Sequence, residues 1–548
     1  MFWGYFLVSL FLTAFGQSQW VPGCGALAAS FGIALFWRSM LLIQGRKKQF
    51  FLSSFWFAAV QSVQLSWMAS TDYMGPLIFA VYFFLCIAIG CQFGLLSLFL
   101  VRCLQDSGKR VWISWMAIGG VWVWMEWSRQ FFLSGFTWNP IGFALADLTP
   151  SLQMASLCGI YGLSFWVIVT NLAALRLLVA RKGRHAAIWA VFALFPYLFG
   201  WGYQVAGEKK SGPLSFSAAL VQTALLPEQK EFFSDRPEVC IAPLDQWERV
   251  FRFFDRGKKI DLIVLPEAAF PYGAYRLRYP LEYVKTIWEI HFGRGSAADF
   301  PPLAAPYARF FEEMDFWKVN NAFLAQALSN HFQAHVIIGL DDQDVSAGEK
   351  YNAAFHFYPE GKSPERYEKR VLVPVSEYIP FQGWKGLSNY IVSEFGIDDS
   401  FNPGKEAKIF NASVPVGVSI CVEETYSGLV RDLRLKGAEM FVNVSNDVWF
   451  PGSRLPQHHF QHARVRSVEN GVPALRCCNT GVTGGIDCFG RPTDLLLASE
   501  KQAGILYLDF PKQSIQTLYT LWGDGAILGI GLASFVFFLF PKRKKKLP

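Results

Sequence analysis

The chain has 548 residues, of which 52% are hydrophobic and only 17% are charged. Soluble domains carry about 25% charged residues, so these fractions exclude an ordinary soluble protein, and the high hydrophobicity excludes a disordered chain. The net charge is +7, but the densest basic run, Lys542–Lys546, directly follows an apolar segment. That position is typical of a membrane topology determinant, and we therefore expect no nucleic-acid partner.

Charged residues are distributed unevenly along the chain. Residues 1–37 contain no Asp, Glu, Lys or Arg, whereas residues 207–516 have the charge density of a soluble domain. This contrast predicts a helical membrane domain over 1–206 and an extramembrane α/β domain over 207–517. A C-terminal membrane helix with a basic cytoplasmic tail is predicted over 518–548.

Several apolar stretches are long enough to cross a bilayer. A hydrocarbon core of about 30 Å needs roughly 20 apolar residues in a helix. We predict a polytopic domain of eight transmembrane helices, at 2–17, 20–44, 49–70, 74–101, 111–132, 150–175, 185–206 and 518–540.

Basic residues in the short loops indicate the orientation, because Lys and Arg accumulate on the cytoplasmic side. Clusters lie at 46–48, 102–110 and 176–184 and in the C-terminal tail. With eight helices, all four clusters fall on one side of the membrane. We therefore expect both termini in the cytoplasm and the α/β domain on the outer side.

Two charged residues stand inside an apolar segment. Glu126 and Arg129 are three residues apart, so they share a helix face and can form an ion pair. One interpretation is an interfacial pair within an aromatic belt. The other is a polar contact near a substrate entry, because charges inside a membrane are costly and usually functional.

The extramembrane part alternates short apolar strands with amphipathic stretches, which predicts a layered α/β domain. Residues 271–318 are rich in Pro, Gly and aromatic residues, and we predict a long loop or insertion there. The predicted strands are 216–222, 261–265, 334–340, 352–358, 414–420, 440–444, 472–477, 484–489 and 504–508, and the predicted helices lie near 244–256, 319–331, 424–436 and 456–470.

Metal-binding patterns are missing from the sequence. The ten cysteines include no CxxC pair and no zinc-type spacing. His458, His459 and His462 are close together, but no carboxylate follows at ligand spacing. We expect no metal and no cofactor, and we expect these histidines on a pocket wall or in solvent.

A cysteine follows directly after an apolar strand. The run Val416–Ile420 leads into Cys421, and a helix-like stretch begins after it. A strand-to-helix turn exposes such a side chain and directs backbone N–H groups toward it, which favours a thiolate and can stabilise an oxyanion. Taken alone, Cys421 is either a buried structural residue or a nucleophile.

Two further residues have the chemistry that such a thiol needs. Glu267 follows the strand 261–265, at the strand end where α/β active sites form, and it could act as a base toward a thiol. Lys369 lies in the run Tyr367–Pro374, and a lysine beside developing negative charge stabilises it. Taken singly, each of the two is also compatible with an ordinary loop or surface position.

Together these runs resemble the Glu-Lys-Cys triad of the nitrilase superfamily. The order of Glu267, Lys369 and Cys421 agrees with it, and so do their separations of 102 and 52 residues. Further matches are Tyr351–Ala354, Asn443–Asp447 and Asn479–Gly481. The membrane part, with the runs Glu126–Trp138 and Gly159–Phe165, is similar to the apolipoprotein N-acyltransferase family.

The resemblance implies a fold and a set of residue roles. The extramembrane domain would be a nitrilase-like α-β-β-α sandwich. Cys421 matches the nucleophile, Glu267 the general base and Lys369 the residue that stabilises the tetrahedral intermediate. Glu377 and Glu423 match two further carboxylates near the triad.

The resemblance also implies a reaction and a location. An acyl chain would pass from a phospholipid to the cysteine as a thioester, and then to the α-amine of the N-terminal diacylglyceryl-cysteine of a lipoprotein. The protein would be a monomer in the bacterial inner membrane, with several membrane passes and its catalytic domain on the periplasmic side.

Three features depart from the family pattern. Val422 stands where an aromatic residue usually follows the nucleophile, residues 225–233 lack a Trp, and the insertion over 271–330 is longer than expected. Two alternatives stay open from the sequence. One is a membrane-anchored amidase that transfers acyl groups to water, and the other is a non-catalytic transporter or sensor with a vestigial triad.

Overall fold

The computed structural model describes residues 2–17, 20–105, 111–208, 215–233, 236–344, 348–359, 361–395, 400–511 and 513–539. The chain divides into two compact units. The helical unit comprises 1–211, 452–471 and 515–548, and the α/β unit comprises 212–451 and 472–514. Among the basic residues used for orientation, Lys109, Arg110 and the run Lys542–Lys546 lie outside the described residues.

Every predicted membrane segment contains a helix. Among the described residues, three helices are long and apolar enough to cross a membrane, namely Ile78–Leu104, Ala155–Ala180 and Gly183–Glu208. Eight crossings therefore stay a prediction. The helices of this unit are Phe2–Ala14, Cys24–Leu27 continuing through Ala28–Gly32 into Ile33–Met40, Arg46–Gln64, Ile78–Gln105, Val111–Ser128, Thr149–Leu152, Ala155–Ala180, Gly183–Glu208, Leu455–Asn470, Leu518–Trp522 and Gly525–Leu539.

The helix Leu455–Asn470 belongs to the helical unit, although its sequence lies within the predicted domain 207–517. Its buried Glu469 accepts a hydrogen bond from the backbone N–H of Ile160 at 2.7 Å. That N–H is available because Gly159, with φ +66°, breaks the helical geometry at this point. The carboxylate therefore satisfies a backbone group that the kink leaves without its helical acceptor.

Glu126 and Arg129 each hydrogen-bond to a different neighbour. The carboxylate of Glu126 accepts bonds from Trp122 Nε1 and from the backbone N–H of Ile141, both at 2.8 Å. The guanidinium of Arg129 donates to Gln92 Oε1 at 2.8 Å and lies over the Trp122 ring. Glu126 is buried, so its contacts fix the turn at Ile141 against its own helix.

The three histidines of helix Leu455–Asn470 are buried, so their predicted alternative position in solvent is wrong. The Nε2 atoms of His458 and His462 bond to the carbonyl oxygen of Trp138 at 2.6 and 3.0 Å. The ring of Trp138 also packs edge-on against His458, His459 and His462. The hydrogen bonds to the Trp138 carbonyl and the ring contacts with Trp138 together explain why these polar side chains are buried.

The α/β unit contains two six-stranded sheets and a small three-stranded sheet. The first large sheet has the order β15-β1-β2-β6-β7-β8, the second β14-β13-β12-β11-β10-β9, and the small sheet β3-β5-β4. In chain order the strands are β1 Ser215–Gln222, β2 Leu262–Leu265, β3 Tyr279–Pro280, β4 Ala308–Phe311, β5 Phe316–Val319, β6 His335–Asp344, β7 Glu349–Phe357, β8 Glu365–Glu368, β9 Ile409–Ala412, β10 Val414–Ile420, β11 Met440–Ser445, β12 Ala474–Cys478, β13 Thr483–Ile486, β14 Pro492–Leu496 and β15 Gly504–Pro511.

The two large sheets pack face to face. Their inner faces share one apolar core, which includes Leu220 and Val264 from the first sheet and Val418 and Val442 from the second. Sheets bury both faces only when helices cover the outer ones. The covering helices of this unit include Pro243–Phe251, Leu281–Phe292 and Asn321–Phe332 on the first sheet and Ser427–Leu435 on the second.

The layer order is therefore the predicted α-β-β-α sandwich, and the nine predicted strands all coincide with strands of the two sheets. Central strands run parallel, so that β2 pairs with β1 and β6, and β10 pairs with β11. Parallel neighbours bring their carboxyl ends to one edge of the sheet. The residues that follow β2 and β10 are consequently placed at such edges.

The prediction of a long loop over 271–318 is wrong. This segment forms helix Leu281–Phe292 and the small sheet. Val284, Trp288 and Phe292 recur at intervals of four residues, and all three are buried. That interval is the repeat of an amphipathic helix, but the many Pro and Gly residues around it obscured the pattern.

Candidate active site

The three predicted catalytic residues each stand just beyond the end of a strand. Glu267 follows β2 after Pro266, Lys369 follows β8 directly, and Cys421 follows β10 directly. Strands β2 and β8 belong to the first sheet and β10 to the second. Because the two sheets face each other, their strand ends bring side chains from distant parts of the sequence together.

The turn that carries Glu267 is held against strand β6. The N–H of Gly339 donates to the carbonyl of Pro266 at 3.1 Å, and the N–H of Ala269 donates to the carbonyl of Gly339 at 2.8 Å. A Cβ atom on Gly339 would lie 2.5 Å from the Cα of Glu267. Only glycine permits so close an approach of two backbones, so Gly339 determines how deep Glu267 sits.

Lys369 lies between two carboxylates and is almost completely buried, with 1% relative exposure. Its Nζ donates to Glu267 Oε1 at 3.0 Å and to Glu377 Oε1 at 2.8 Å. Burial alone lowers the pKa of Lys369, but Glu267, Glu377 and Cys421 outweigh that effect and hold the pKa well above its usual value. The site therefore contains a permanent ammonium next to the thiol.

An asparagine shares both carboxylates with Lys369. Asn352 Nδ2 donates to Glu267 Oε1 at 2.8 Å and to Glu377 Oε1 at 2.7 Å. Asn352 lies on β7, and its backbone carbonyl accepts from the N–H of Lys369 at 2.9 Å. The sequence contained this residue in the matched run Tyr351–Ala354, but nothing in the run indicated that its amide joins two acids.

Glu377 also binds its own loop. Its Oε2 accepts from the backbone N–H of Val373 at 2.7 Å, and its backbone N–H donates to the carbonyl of Val373 at 2.9 Å. One oxygen is thereby used for anchoring and the other for Lys369 and Asn352. The expectation that Glu377 lies near Glu267 and Lys369 agrees with this geometry.

Cys421 has a strained backbone and a raised pKa. Its φ is +51°, in the left-handed region that non-glycine residues rarely adopt, and it begins the helical turn Cys421–Thr425. Burial raises the pKa of the Cys421 thiol, and the charge of Glu267 raises it further, while Lys369 and a hydrogen bond with Ser445 oppose this. The net direction of these effects favours the protonated thiol, whereas the backbone donors of the strand-to-helix turn favour the thiolate.

Glu423 does not contact Lys369 directly but connects the cysteine turn to the lysine strand. Its Oε2 accepts from the N–H of Ile420 at 2.8 Å, and its Oε1 accepts from the N–H of Arg370 at 2.6 Å. The hydroxyl of Tyr367 donates to the same carboxylate at 2.9 Å. Burial raises the pKa of Glu423, and the backbone donors Ile420 and Arg370 oppose the shift.

A buried ionic network lies on the other side of Cys421. Arg476 Nε donates to Glu424 Oε2 at 3.0 Å, and its Nη2 lies 3.2 Å from Asp447 Oδ2. The hydroxyl of Ser445 donates to Asp447 Oδ1 at 3.2 Å. The matched run Asn443–Asp447 contained two of these residues, but Arg476 had no distinguishing signal in the sequence.

Trp247, which comes later in the chain than the segment 225–233, belongs to the core. Trp247 is fully buried, stacks on Phe270 with ring centroids 3.7 Å apart, and donates from Nε1 to Asn321 Oδ1 at 2.9 Å. In the part of the chain that the structure describes, no group of three His, Cys, Asp or Glu residues could hold a metal ion.

The arrangement can perform nucleophilic acyl transfer. A thiol, a carboxylate and an ammonium interact at the strand ends of an α-β-β-α sandwich, which supplies a nucleophile, a base and a positive charge for an oxyanion. Such a fold with such a site defines a carbon-nitrogen hydrolase domain of the nitrilase type. The sequence model of the carbon-nitrogen hydrolase family indeed matches residues 244–517.

Comparisons with known proteins cover both units. The model of the apolipoprotein N-acyltransferase N-terminal domain matches residues 11–173. The apolipoprotein N-acyltransferase of Chlamydia pneumoniae is 30% identical, over 95% of this chain and 93% of that protein. That of Chlamydia muridarum is also 30% identical, over 99% of this chain and 98% of that protein. The chain belongs to the apolipoprotein N-acyltransferase family.

Two solved structures are similar to this chain at low sequence identity. Saccharomyces cerevisiae Nit3, a member of the nitrilase superfamily, is 18% identical with a TM-score of 0.34, and it covers 61% of this chain and 97% of its own. The carbon-nitrogen hydrolase of Helicobacter pylori is 17% identical with a TM-score of 0.33, covering 60% of this chain and 96% of its own.

Proposed function

We propose that the chain transfers an acyl group from a phospholipid, through a thioester on Cys421, to the α-amine of the N-terminal diacylglyceryl-cysteine of a lipoprotein. Family membership makes the chain an acyltransferase of lipoproteins. The observation that carries the residue assignment is the Lys369 ammonium 3.0 Å from Glu267, with Cys421 in electrostatic contact with both.

In the first half-reaction Glu267 accepts the proton of the Cys421 thiol. The raised pKa of that thiol means that it keeps its proton until the base removes it. The sulfur attacks the ester carbonyl of the phospholipid, and Lys369 stabilises the resulting oxyanion. The C–O bond then breaks, Glu267 returns the proton to the leaving oxygen, and a lysophospholipid departs.

In the second half-reaction the free amine of the lipoprotein attacks the thioester carbonyl. Glu267 accepts a proton from the attacking nitrogen, and Lys369 again stabilises the oxyanion. The C–S bond breaks, an amide is formed, and the proton returns to the sulfur of Cys421. Both halves use the same groups, so one pocket is sufficient for a ping-pong reaction.

We place Glu377, Asn352 and Glu423 in supporting roles. Glu377 and Asn352 touch the Glu267–Lys369 pair and hold it in one geometry. Glu423 acts through the backbone of the cysteine turn. Neither carboxylate is needed as a second proton acceptor in this scheme.

The proposed setting is the bacterial inner membrane, with eight membrane crossings and domains at 1–206, 207–517 and 518–548. The α/β domain would face the periplasm, and both termini the cytoplasm. The support is the position of the basic clusters and the three long apolar helices. A monomer suffices, because one chain supplies all groups used in the reaction.

Family membership favours this reaction over the two alternatives, an amidase and a non-catalytic transporter or sensor. An amidase would release free fatty acid, whereas the proposed enzyme releases an N-acylated peptide. A protein with a vestigial triad would form no adduct with phospholipid at all.

The experiment is mass spectrometry of the purified protein after incubation with phospholipid alone. We expect one acyl mass on the peptide that contains Cys421, and its loss as amide after addition of a diacylglyceryl peptide. Cys421→Ala should form no adduct, while the matched control Cys240→Ala should form it normally. An adduct on Cys421→Ala, or full turnover by that variant, would refute the assignment.

A further inference from the structure

A buried lysine outside the triad lies beside the turn that carries Glu267. Lys230 ends the helical turn Pro227–Lys230, and its relative exposure is 9%. Its Nζ donates to the carbonyl oxygen of Ala268 at 2.6 Å. Lysines are almost never buried unless they are paired or hydrogen-bonded, because removing an ammonium from water is costly.

Several carboxylates surround this ammonium. Burial lowers the pKa of Lys230, while the negative charges of Glu231, Asp341 and Glu267 oppose the shift and favour the charged form. Asp341 shows the reciprocal effect, because burial raises its pKa to about 6, and Lys350 and Lys230 act against this. Lys230 is therefore electrostatically coupled to the proposed base, although the two side chains belong to different loops.

The hydrogen bond of Lys230 acts on a strained residue. Ala268 directly follows Glu267 and has a φ of +43°, in the left-handed region that costs free energy for any residue with a Cβ. Binding of the Ala268 carbonyl fixes the peptide plane between Ala268 and Ala269, one residue beyond Glu267. Lys230 is itself anchored, because its own carbonyl accepts from Gln246 Nε2 at 3.0 Å.

We propose that Lys230 is a positioning residue for Glu267: its ammonium holds the strained turn and adds a second positive charge beside the carboxylate. The inference rests on the proposed role of Glu267 as the base. Among the described residues, the charged and titratable groups around Glu267 include Lys369, Glu377, Cys421, Asp341 and Lys230.

Two effects should follow from loss of the Lys230 ammonium. Without the hydrogen bond the turn can relax away from the strained geometry, so the carboxylate is less well placed for the thiol. Without the positive charge, the negative charge that Glu267 carries as a base is less well stabilised beside the thiol. Both effects lower the maximal rate of acylation and leave the binding of phospholipid unchanged.

The test is the rate of single-turnover acylation of the full-length protein by a fluorescent phospholipid, measured against phospholipid concentration. For Lys230→Met we expect a maximal rate about tenfold lower with an unchanged half-saturating concentration, because Lys230 acts on the base and not on the phospholipid. Lys230→Gln keeps an N–H donor but no charge, so its maximal rate should be intermediate, again with an unchanged half-saturating concentration. The exposed control Lys259→Met should match the unaltered protein in both respects.

Two results would overturn the proposal. One is a Lys230→Met variant with the maximal rate of the unaltered protein, and the other is a slower variant whose half-saturating phospholipid concentration has increased, which would indicate a merely structural role. Where Lys230→Met does not fold, Lys230→Gln carries the same test through its maximal rate and half-saturating concentration. Glu267→Gln separates the two proposals. Normal acylation by that variant would show that Glu267 is not the base, whatever the role of Lys230.

Discussion

The hydroxyl of Tyr367 donates a hydrogen bond to Glu423 at 2.9 Å, although the two residues are 56 positions apart in the chain. Tyr367 lies on β8, which ends next to Lys369, and Glu423 lies in the turn that begins with Cys421. The bond therefore connects the strand that carries the ammonium with the turn that carries the thiol. Each of the next two predictions concerns such a connection.

Replacement of Tyr367 by Phe should weaken both the fold and the reaction. The buried carboxylate of Glu423 loses one donor, which costs about 1–2 kcal/mol of unfolding free energy. Acylation should slow severalfold, because the lysine strand and the cysteine turn are less rigidly joined. Thermal unfolding and single-turnover acylation measure the two effects.

Tyr358→Phe is the matched control for this prediction. Tyr358 also donates to a carboxylate, Glu365 at 2.8 Å, but at the far end of β8. This variant should lose stability while it keeps the acylation rate. Equal acylation by Tyr367→Phe and Tyr358→Phe would contradict the proposed connection.

Replacement of Asn352 by Ala should impair the Glu267–Lys369 pair. Two carboxylate oxygens lose a donor that lies within 2.8 Å, and hydrogen bonds to charged groups contribute about 1.5–3 kcal/mol each. We expect acylation at least tenfold slower, measured in a single turnover. Asn411→Ala, at an exposed position on β9, should have no effect. An Asn352→Ala protein with normal acylation would exclude the amide from a supporting role.

The pH dependence of alkylation tests the state of the thiol. Because the pKa of Cys421 is raised, the thiolate forms only as pH increases beyond the ordinary range of a cysteine. The rate of iodoacetamide labelling at Cys421 should therefore be low at neutral pH and still increase above pH 9. Peptide mass spectrometry reports labelling at this position separately from the other thiols.

Lys369→Met should slow the labelling of Cys421 further, because the Lys369 ammonium is the positive charge that opposes the rise in the pKa of Cys421. Glu267→Gln should act in the opposite direction, because it removes a negative charge beside the sulfur. A labelling rate that reaches its plateau below neutral pH would show that the resting group is a thiolate.

Gly339→Ala should disrupt the turn of Glu267. The new methyl group would meet backbone atoms of Glu267 and Pro266 at 2.5 and 2.6 Å, and backbone cannot rotate away as a side chain can. We expect the free energy of unfolding to decrease by several kcal/mol, or the protein to fail to fold, because overpacking a dense core is destabilising. Gly428→Ala, where nothing lies within 4 Å of the added Cβ, should be neutral or slightly stabilising. Equal unfolding temperatures for the two variants would contradict the close approach.

Much of the fold is visible in the amino-acid order itself. Hydrophobic period and length placed the apolar helices and the nine main strands, because these signals are local. Glu267 and Cys421 were recognisable because each comes just after a predicted strand, and strand ends in such a sandwich meet at one edge. Lys369 was recognised from the run Tyr367–Pro374 and the family resemblance, because the strand β8 before it was not predicted. The helix Leu281–Phe292 has buried apolar residues every four positions, but the surrounding Pro and Gly residues favoured the prediction of a loop.

The tertiary structure decided what depends on contacts between distant residues. Asn352 bridges two acids, Glu423 joins two loops, and Lys230 supports the turn of Glu267, and none of these contacts has a local sequence pattern. The raised pKa of Cys421 likewise arises from burial, which is a property of the packed state. Local periodicity thus determined where most of the elements lie and which residues end them. Packing alone determined which charges, hydrogen-bond donors and strained backbone positions surround those residues.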